Sequence, residues 1–264
     1  MYAFTFERPT TVADAAQKAG AGGKLLAGGQ TMLASMKLRL SQPGQVIDLG
    51  GIAGLDSIKR EGDSFVIGAM ARHNQVAENA ELGAAFPALT DQAAHIGDRQ
   101  VRAMGTLGGS VANNDPAACY PSALLAVGAT VITDQREIAA QDFFQGMFAT
   151  ALNDGEVITA VRFPIPKRAA YMKFRQPASR FAMVGVFLAQ MADGDVRVAV
   201  TGAGSGVFRH AGLEAALKQS FTPEVAAKVV IDATDLNSDL HATAAYRANL
   251  IGVLTQRAVT KALG

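Results

Sequence analysis

Cysteine, histidine and tryptophan are scarce in this sequence of 264 residues, which has one cysteine, four histidines and no tryptophan. The single thiol, Cys119, can form no disulfide within the chain, and one thiol cannot hold an iron–sulfur cluster. The histidines are scattered, with no His-X-His or His-X3-His spacing, so no metal site is predicted. Redox chemistry by this chain would therefore require an organic cofactor.

Charged residues are also few: they make up 18% of the chain and nearly cancel, leaving a net charge of +1. Nucleic-acid and membrane-surface proteins usually show a basic patch or stripe, which this balance does not favour. No apolar run reaches the roughly 18 residues of a membrane span. Residues 1–8 lack the charged segment and apolar run of a secretory signal. We therefore expect a cytoplasmic protein.

Strand and helix patterns alternate in the first part of the chain. Residues 24–27 show a short apolar strand pattern, and an amphipathic helix pattern follows at residues 32–40. Thr10 or Thr11 can cap a helix that ends at Ala19. Further strands are predicted at residues 46–49, 64–68, 130–133 and 157–163, helices at 74–79, 84–96 and 117–127, and a glycine-rich turn at 105–110.

The pattern changes at residues 164–168, where two prolines precede a basic pair. Beyond this boundary, apolar strands at residues 181–190 and 196–201 flank Asp193-Gly194, a strong hairpin signal. Helices are predicted to follow at residues 210–218, 223–232 and 242–263. Strands followed by helices indicate an α+β layer, and we predict an α+β fold for the chain.

Two glycine pairs, each followed by a residue with a side-chain hydroxyl, have the clearest chemical meaning. They lie in Ala27-Gly28-Gly29-Gln30-Thr31 and in Thr106-Leu107-Gly108-Gly109-Ser110. Glycine lets the backbone approach a phosphate closely, and it tolerates the positive φ that turns successive N–H groups inward. One such pair alone is more often an ordinary turn. Two pairs that converge in space could hold a diphosphate without a lysine or arginine.

The residues around these pairs resemble the FAD-binding medium subunit of the xanthine dehydrogenase and carbon monoxide dehydrogenase family, the molybdenum hydroxylases. The most specific segment is QVRAMGTLGGSVA at residues 100–112, followed by NDPAACYP at 114–121. The similarity covers nearly the whole chain, with further matching segments at residues 4–10, 25–32, 46–49, 67–70, 173–175 and 181–184.

This resemblance implies a fold, a cofactor and partners. The fold would be a two-subdomain FAD-binding PCMH-type (vanillyl-alcohol-oxidase-like) domain over residues 1–165, with subdomains of about 1–55 and 56–165. A C-terminal domain of the carbon monoxide dehydrogenase flavoprotein type, an antiparallel sheet plus helices, would follow at residues 168–264. FAD would be the cofactor. The partners would be a small subunit with [2Fe–2S] clusters and a large molybdopterin subunit, assembled as a dimer of heterotrimers.

Carried onto this sequence, the resemblance implies a cofactor site without catalytic residues or metal ligands. Phe181 and Met183 lie where some relatives carry a tyrosine and a lysine near the flavin ring. Cys119 lies where aspartate is frequent, and we expect a small buried side chain there rather than a redox participant. The implied cofactor contacts are Leu25, Leu26, Ala27, Gly28, Gly29, Gln30, Thr31, Met32, Ile96, Thr106, Leu107, Gly108, Gly109, Ser110, Asp115, Cys119, Ile158, Phe181 and Met183.

We therefore predict an oxidoreductase subunit that passes electrons from the partner's clusters through FAD to NAD+, a quinone or oxygen. Two other functions stay open: a self-contained flavin-dependent oxidoreductase, and a non-catalytic nucleotide-binding assembly module. A third motif, Gly202-Ala203-Gly204-Ser205-Gly206-Val207, follows a strand but fails the GxGxxG spacing, and only helices are predicted after it. We interpret this motif as a turn and not as a Rossmann fingerprint.

Overall fold

The computed structural model describes all of residues 1–264, beginning with a small parallel sheet. Its strands are β1 (Thr5–Glu7), β2 (Lys24–Leu26) and β3 (Gln45–Asp48), in the order β1-β3-β2. Helices α1 (Val12–Gly20) and α2 (Met32–Lys37) connect the strands, and a 3-10 turn at Leu49–Gly51 follows. The expected cap of α1 is confirmed, because the Thr11 hydroxyl accepts a hydrogen bond from the backbone N–H of Asp14 at 3.2 Å.

An antiparallel sheet and seven helices make up the second part. The elements are β4 (Ile58–Glu61), β5 (Ser64–Gly68), α3 (His73–Glu78), α4 (Ala80–Ala85), α5 (Pro87–Ala94), α6 (Arg99–Met104), α7 (Leu107–Asn113), α8 (Tyr120–Val127), β6 (Thr130–Thr133), β7 (Glu137–Ala139), α9 (Ala140–Phe143), β8 (Phe144–Gly146), β9 (Ala149–Thr150) and β10 (Ile158–Pro164). The five-stranded sheet has the order β4-β5-β10-β6-β7, and β8 and β9 form a separate hairpin. The short helix α9 precedes that hairpin.

A four-stranded antiparallel sheet and three helices form the last part. The elements are β11 (Arg168–Arg175), β12 (Ala182–Gln190), β13 (Val196–Thr201), β14 (Phe208–Arg209), α10 (Ala211–Gln219), α11 (Pro223–Ala227) and α12 (Ala244–Leu263). The strand order is β11-β12-β13-β14. The predicted β12–β13 hairpin and the predicted α+β class are confirmed. Strands β11 and β14 were not predicted, and β14 lies where only helices were expected.

Both faces of β12 are buried, each in a different hydrophobic core. Val186 and Leu188 pack with side chains of α10 and α12. Phe187 and Ala189 pack into the core of the second part, where the Phe187 ring meets the Phe86 ring edge-on at 6.2 Å. This double burial explains why β12 is an almost continuous apolar run rather than an alternating one.

Three sequence-based predictions of secondary structure, two of helices and one of a turn, are wrong. The helix predicted at residues 84–96 is interrupted at Phe86, because the residue before a proline is disfavoured in the α region. The glycine-rich turn predicted at residues 105–110 instead starts helix α7, which Thr106 caps. The helix predicted at residues 223–232 ends at Ala227. The longest helix, α12, carries charged residues along its length, and no helix qualifies as a membrane span.

Candidate cofactor site

The two glycine-containing segments lie against each other. A Cβ atom added at Gly28 would clash with the carbonyl oxygen of Met104 and lie 2.8 Å from the Cα of Gly105. A Cβ added at Gly109 would lie 3.4 Å from the Cβ of Ala27. The loop after β2 and the N-terminus of α7 therefore form one continuous surface. The expected convergence of the two segments is confirmed, and only glycine permits this approach at residue 28.

Six consecutive backbone N–H groups in the first segment, from Ala27 to Met32, donate no hydrogen bond within the protein. Gly29 has a φ of +73°, a value that glycine adopts without strain. The side chain of Gln30 folds back, and its Nε2 donates to the carbonyl oxygen of Gly28 at 3.2 Å. The segment thus keeps its own shape while its N–H groups stay available for an acceptor, which is the donor set that a diphosphate requires.

The N–H groups of the second segment are already used within the protein. Leu107 donates to the carbonyl of Ala71 at 2.9 Å, and Gly108 donates to that of Ala69 at 2.8 Å. The Gly109 and Ser110 N–H groups bond to the side-chain and backbone oxygens of Thr106, both at 3.1 Å. The expectation of inward-pointing N–H groups is therefore wrong for this segment. Its free donors are the hydroxyls of Thr106 and Ser110.

The apolar residues predicted at the site act mainly through packing. Leu107 is completely buried and Ile158 is 5% exposed, and both belong to the core of the second part. Leu25 packs on the core of the first part, and Leu26 lies next to Gly29. A Cβ at Gly108 would lie 2.5 Å from the Cβ of Ala69, so this glycine lets α7 lie close to the chain that follows β5.

Lys173 contacts one of the other predicted site residues, Cys119, and the residue before another, Ile96. Its Nζ donates to the carbonyl of His95, the residue before Ile96, at 3.0 Å and to the Cys119 sulfur at 3.4 Å. Cys119 is 5% exposed, as expected for a buried thiol. The carbonyl of Ile96 accepts a hydrogen bond from Arg102 at 3.0 Å. Lys173, on strand β11 of the last part, thus links the C-terminal end of α5 to the N-terminal end of α8 in the second part.

Asp115, Phe181 and Met183 lie around the start of the third glycine motif. The N–H of Gly202 donates to the carbonyl of Pro116, beside Asp115, at 2.7 Å. A Cβ at Gly202 would clash with the carbonyl oxygen of Ala182, which lies between the other two residues in the sequence. The Asp115 carboxylate accepts from the Ala117 N–H at 2.8 Å. Phe181 is 58% exposed, whereas Met183 packs on the core of the last part.

Arg247 is a residue of this region that the sequence did not reveal. Although only 4% exposed, its guanidinium donates to the carbonyls of Met183 at 2.7 Å and Gly202 at 2.9 Å. It also pairs with Asp239 at 2.7 Å. Backbone hydrogen bonds, chiefly from His241, and the pair with Arg247 hold the pKa of Asp239 below its usual value. The position of Arg247 among the apolar residues of α12 was the available signal.

His73 is a second residue that the sequence did not reveal. It is 5% exposed, its Nδ1 has no hydrogen-bond partner, and its ring lies 5.4 Å from that of Tyr120. A Cβ at Gly105 would lie 2.6 Å from its Nε2, so it supports the backbone between α6 and α7. Burial, with a smaller effect of the Arg102 charge, lowers the pKa of His73 to about 4. The ring is therefore neutral near neutral pH.

The buried His73 ring should make stability depend on pH. Its pKa is 6.5 for the unfolded chain and about 4 in the fold, so the unfolded chain binds the proton first as the pH falls. This contribution is complete above the unfolded pKa and is lost towards the folded pKa. We expect the free energy of unfolding to fall by about 2 kcal/mol between about pH 7 and about pH 5. Urea titrations with FAD in constant excess measure it.

Two phenylalanine variants test this prediction. His73→Phe should flatten the pH dependence, because phenylalanine has a similar shape and no proton to bind. His241→Phe, at an exposed histidine, should leave the dependence unchanged. An equally steep dependence in His73→Phe would refute the assignment to His73.

Two known protein families match the chain, one in its N-terminal part and one in its C-terminal third. Residues 2–166 match the model described as FAD binding domain in molybdopterin dehydrogenase, and residues 169–262 match the CO dehydrogenase flavoprotein C-terminal domain. The chain is 31% identical to the carbon monoxide dehydrogenase medium chain of Afipia carboxidovorans, over 98% of this chain and 96% of that protein. It is 32% identical to the nicotine 6-hydroxylase medium subunit of Paenarthrobacter nicotinovorans, over 98% and 97% of the two chains.

A solved structure agrees with these matches. Carbon monoxide dehydrogenase from Hydrogenophaga pseudoflava contains a chain that superposes with a TM-score of 0.88 at 30% identity, covering 99% of this chain and 98% of that one. The predicted fold, an FAD-binding domain followed by the C-terminal flavoprotein domain, and the predicted cofactor FAD are confirmed. The chain therefore belongs to the xanthine dehydrogenase and carbon monoxide dehydrogenase family as an FAD-binding medium subunit, and it is the flavoprotein component of an oxidoreductase.

Proposed function

We propose that this chain is the electron-transfer subunit of a heterotrimeric molybdenum hydroxylase. It passes electrons from the [2Fe–2S] clusters of a small subunit through FAD to NAD+, a quinone or oxygen. A large molybdopterin subunit carries out the oxidation of the substrate, and two heterotrimers form the complete assembly. One observation carries the proposal: the free N–H groups after β2 lie against the end of α7 that carries the Thr106 and Ser110 hydroxyls.

We propose that these two segments hold the diphosphate of FAD in different ways. The N–H groups of residues 27–32 donate to the phosphate oxygens, and the Thr106 and Ser110 hydroxyls add donors from the other side. Each hydrogen bond to a charged oxygen contributes on the order of 1.5–3 kcal/mol. The site therefore needs no lysine or arginine to neutralise the diphosphate.

The flavin ring lies, in this proposal, towards the C-terminal end of α7. The ring-side contacts are Ile96, Asp115, Cys119, Ile158, Phe181 and Met183. Phe181 packs on the ring through its exposed face but, lacking a phenol, donates no hydrogen bond to it. When bound, FAD supplies storage for two electrons that can enter and leave singly, and the protein supplies binding and orientation.

We also propose that the chain divides near residues 164–168. Residues 1–165 would be the FAD-binding domain, with subdomains of about 1–55 and 56–165, and residues 168–264 the C-terminal domain. The proline-rich junction and the ranges of the two matching families support this division. The shared core around β12 means that the two domains are packed together rather than joined flexibly.

The proposal is tested by purifying the chain alone and with its two partner subunits. The chain alone should bind one FAD and give a yellow protein, but it should not oxidise an organic substrate. In the assembled complex, substrate should reduce the flavin, as measured by bleaching of its visible absorbance. Steady oxidation by the isolated chain would favour a self-contained oxidoreductase. FAD that no assembled partner reduces would favour an assembly module.

A further inference from the structure

A cavity of about 480 Å³ lies between the second and last parts of the chain, and none of the proposed FAD contacts lines it. The wall from the second part consists of Asn114, Phe144 and Gly146. The wall from the last part consists of residues 204–207 of the third glycine motif, with Phe208, His210, Asp232, Asp235 and Leu236. Its size falls within the range of about 300–1,000 Å³ that is typical of small-molecule sites.

The glycine motif presents unpaired donors at this cavity. The backbone N–H groups of the four lining residues from Gly204 to Val207 donate no hydrogen bond within the protein. Gly204 is buried, and a buried N–H without a partner is rare in proteins. By contrast, the carbonyls of Ala203 and Gly204 are both bonded by Asn237, each at 2.8 Å. The segment is therefore fixed in place with its donors unused.

The opposite wall is also held rigidly. The Asn114 side chain donates to the carbonyls of Gly146 and Ala149, both at 2.7 Å, so it fixes the β8–β9 hairpin against the end of α7. Phe144 from this hairpin and Phe208 from β14 both line the cavity. Aromatic side chains in such a position favour a flat ring.

His210 and the aspartates complete the polar lining. The Nδ1 of His210 accepts a hydrogen bond from the Leu213 N–H at 3.1 Å, so its proton is on Nε2, which is a further donor. Asp232 and Asp235 supply acceptors that suit hydroxyl groups. Their negative charges disfavour a ligand with several phosphates.

We propose that this cavity binds a nucleoside monophosphate, free or as part of a larger ligand. The phosphate accepts hydrogen bonds from the N–H groups of residues 204–207, the base lies against Phe144 and Phe208, and the ribose hydroxyls donate to the aspartates. This site is distinct from the proposed FAD site, and its occupancy does not depend on electron transfer.

Binding of AMP to the FAD-loaded chain tests the proposal, measured by titration calorimetry. AMP should bind at least tenfold more tightly than adenosine, inorganic phosphate or ATP. Gly206→Leu should weaken AMP binding at least tenfold. A Cβ there meets nothing closer than the Cα of Gly146 at 3.9 Å, and the φ of Gly206 is not positive, so the leucine fits the backbone and fills the cavity. FAD absorbance should stay unchanged in this variant.

Gly44→Leu is the matched control, because this glycine also faces open space and lies in the loop before β3. It should bind AMP like the original chain. The proposal is overturned if the FAD-loaded chain binds no AMP, if Gly206→Leu binds it unchanged, or if ATP binds more tightly than AMP. AMP that is displaced by added FAD would place the ligand in the flavin site and would equally overturn it.

Discussion

Gly28→Val should reduce FAD binding at least a hundredfold, the largest effect expected from a single substitution in this chain. The valine Cβ would clash with the carbonyl oxygen of Met104, so the loop after β2 must move away from α7. That movement separates the free N–H groups of residues 27–32 from the hydroxyls of Thr106 and Ser110. A hundredfold loss corresponds to about 2.7 kcal/mol of binding free energy. Flavin absorbance after gel filtration and FAD titration of the apoprotein measure it.

Gly44→Val provides the control for this substitution. It adds the same side chain at a glycine that has no neighbour within 4 Å of an added Cβ, so its FAD affinity should be unchanged. Circular dichroism and elution volume distinguish loss of the site from loss of the fold. A folded Gly28→Val protein that keeps one FAD would contradict the proposed diphosphate site.

Arg247→Met should lower the free energy of unfolding by about 3 kcal/mol. Methionine fills much of the arginine volume but leaves the carbonyls of Met183 and Gly202 without their donor, and each such buried group costs about 1–3 kcal/mol. Denaturant titration monitored by circular dichroism measures the change. FAD should also be released more readily, because these carbonyls belong to the segments beside Phe181 and Asp115.

Two further variants separate the role of the Arg247 guanidinium from a general effect of changing α12. Arg257→Met changes an exposed arginine on the same helix and should shift stability by less than about 0.5 kcal/mol. Arg247→Lys keeps the charge but loses the forked donor geometry, so it should recover only part of the stability. Equal stability of Arg247→Met and the original chain would show that water replaces the guanidinium without cost.

Short sequence motifs were sufficient to predict those turns and helix starts that depend only on neighbouring residues. The Asp193-Gly194 turn joins β12 and β13, and Thr222 with Pro223 starts α11. These features need only a few neighbouring residues to form. The glycine pairs could also be recognised in the sequence, because a position at which one backbone lies directly against another admits only glycine.

Features that depend on distant contacts could not be predicted from the sequence. Two adjacent glycines normally weaken a helix, yet α7 forms there because Leu107 and Gly108 bond to the chain at residues 69–71. The same contacts use up the N–H groups that were expected to bind phosphate. The roles of Lys173 and Arg247 likewise arise from carbonyls 78 and 64 residues away along the chain. No pattern within a short window contains that information.

The double burial of β12 also affects how the protein can be made. A polypeptide that ended near residue 166 would expose the surfaces of α5 and α8 that pack against β11, β12 and β13. Apolar surface of this kind promotes aggregation while synthesis continues. We therefore expect FAD to be inserted only after β13 has emerged from the ribosome. For the same reason, a chain truncated to the flavin domain would be a poor starting point for engineering.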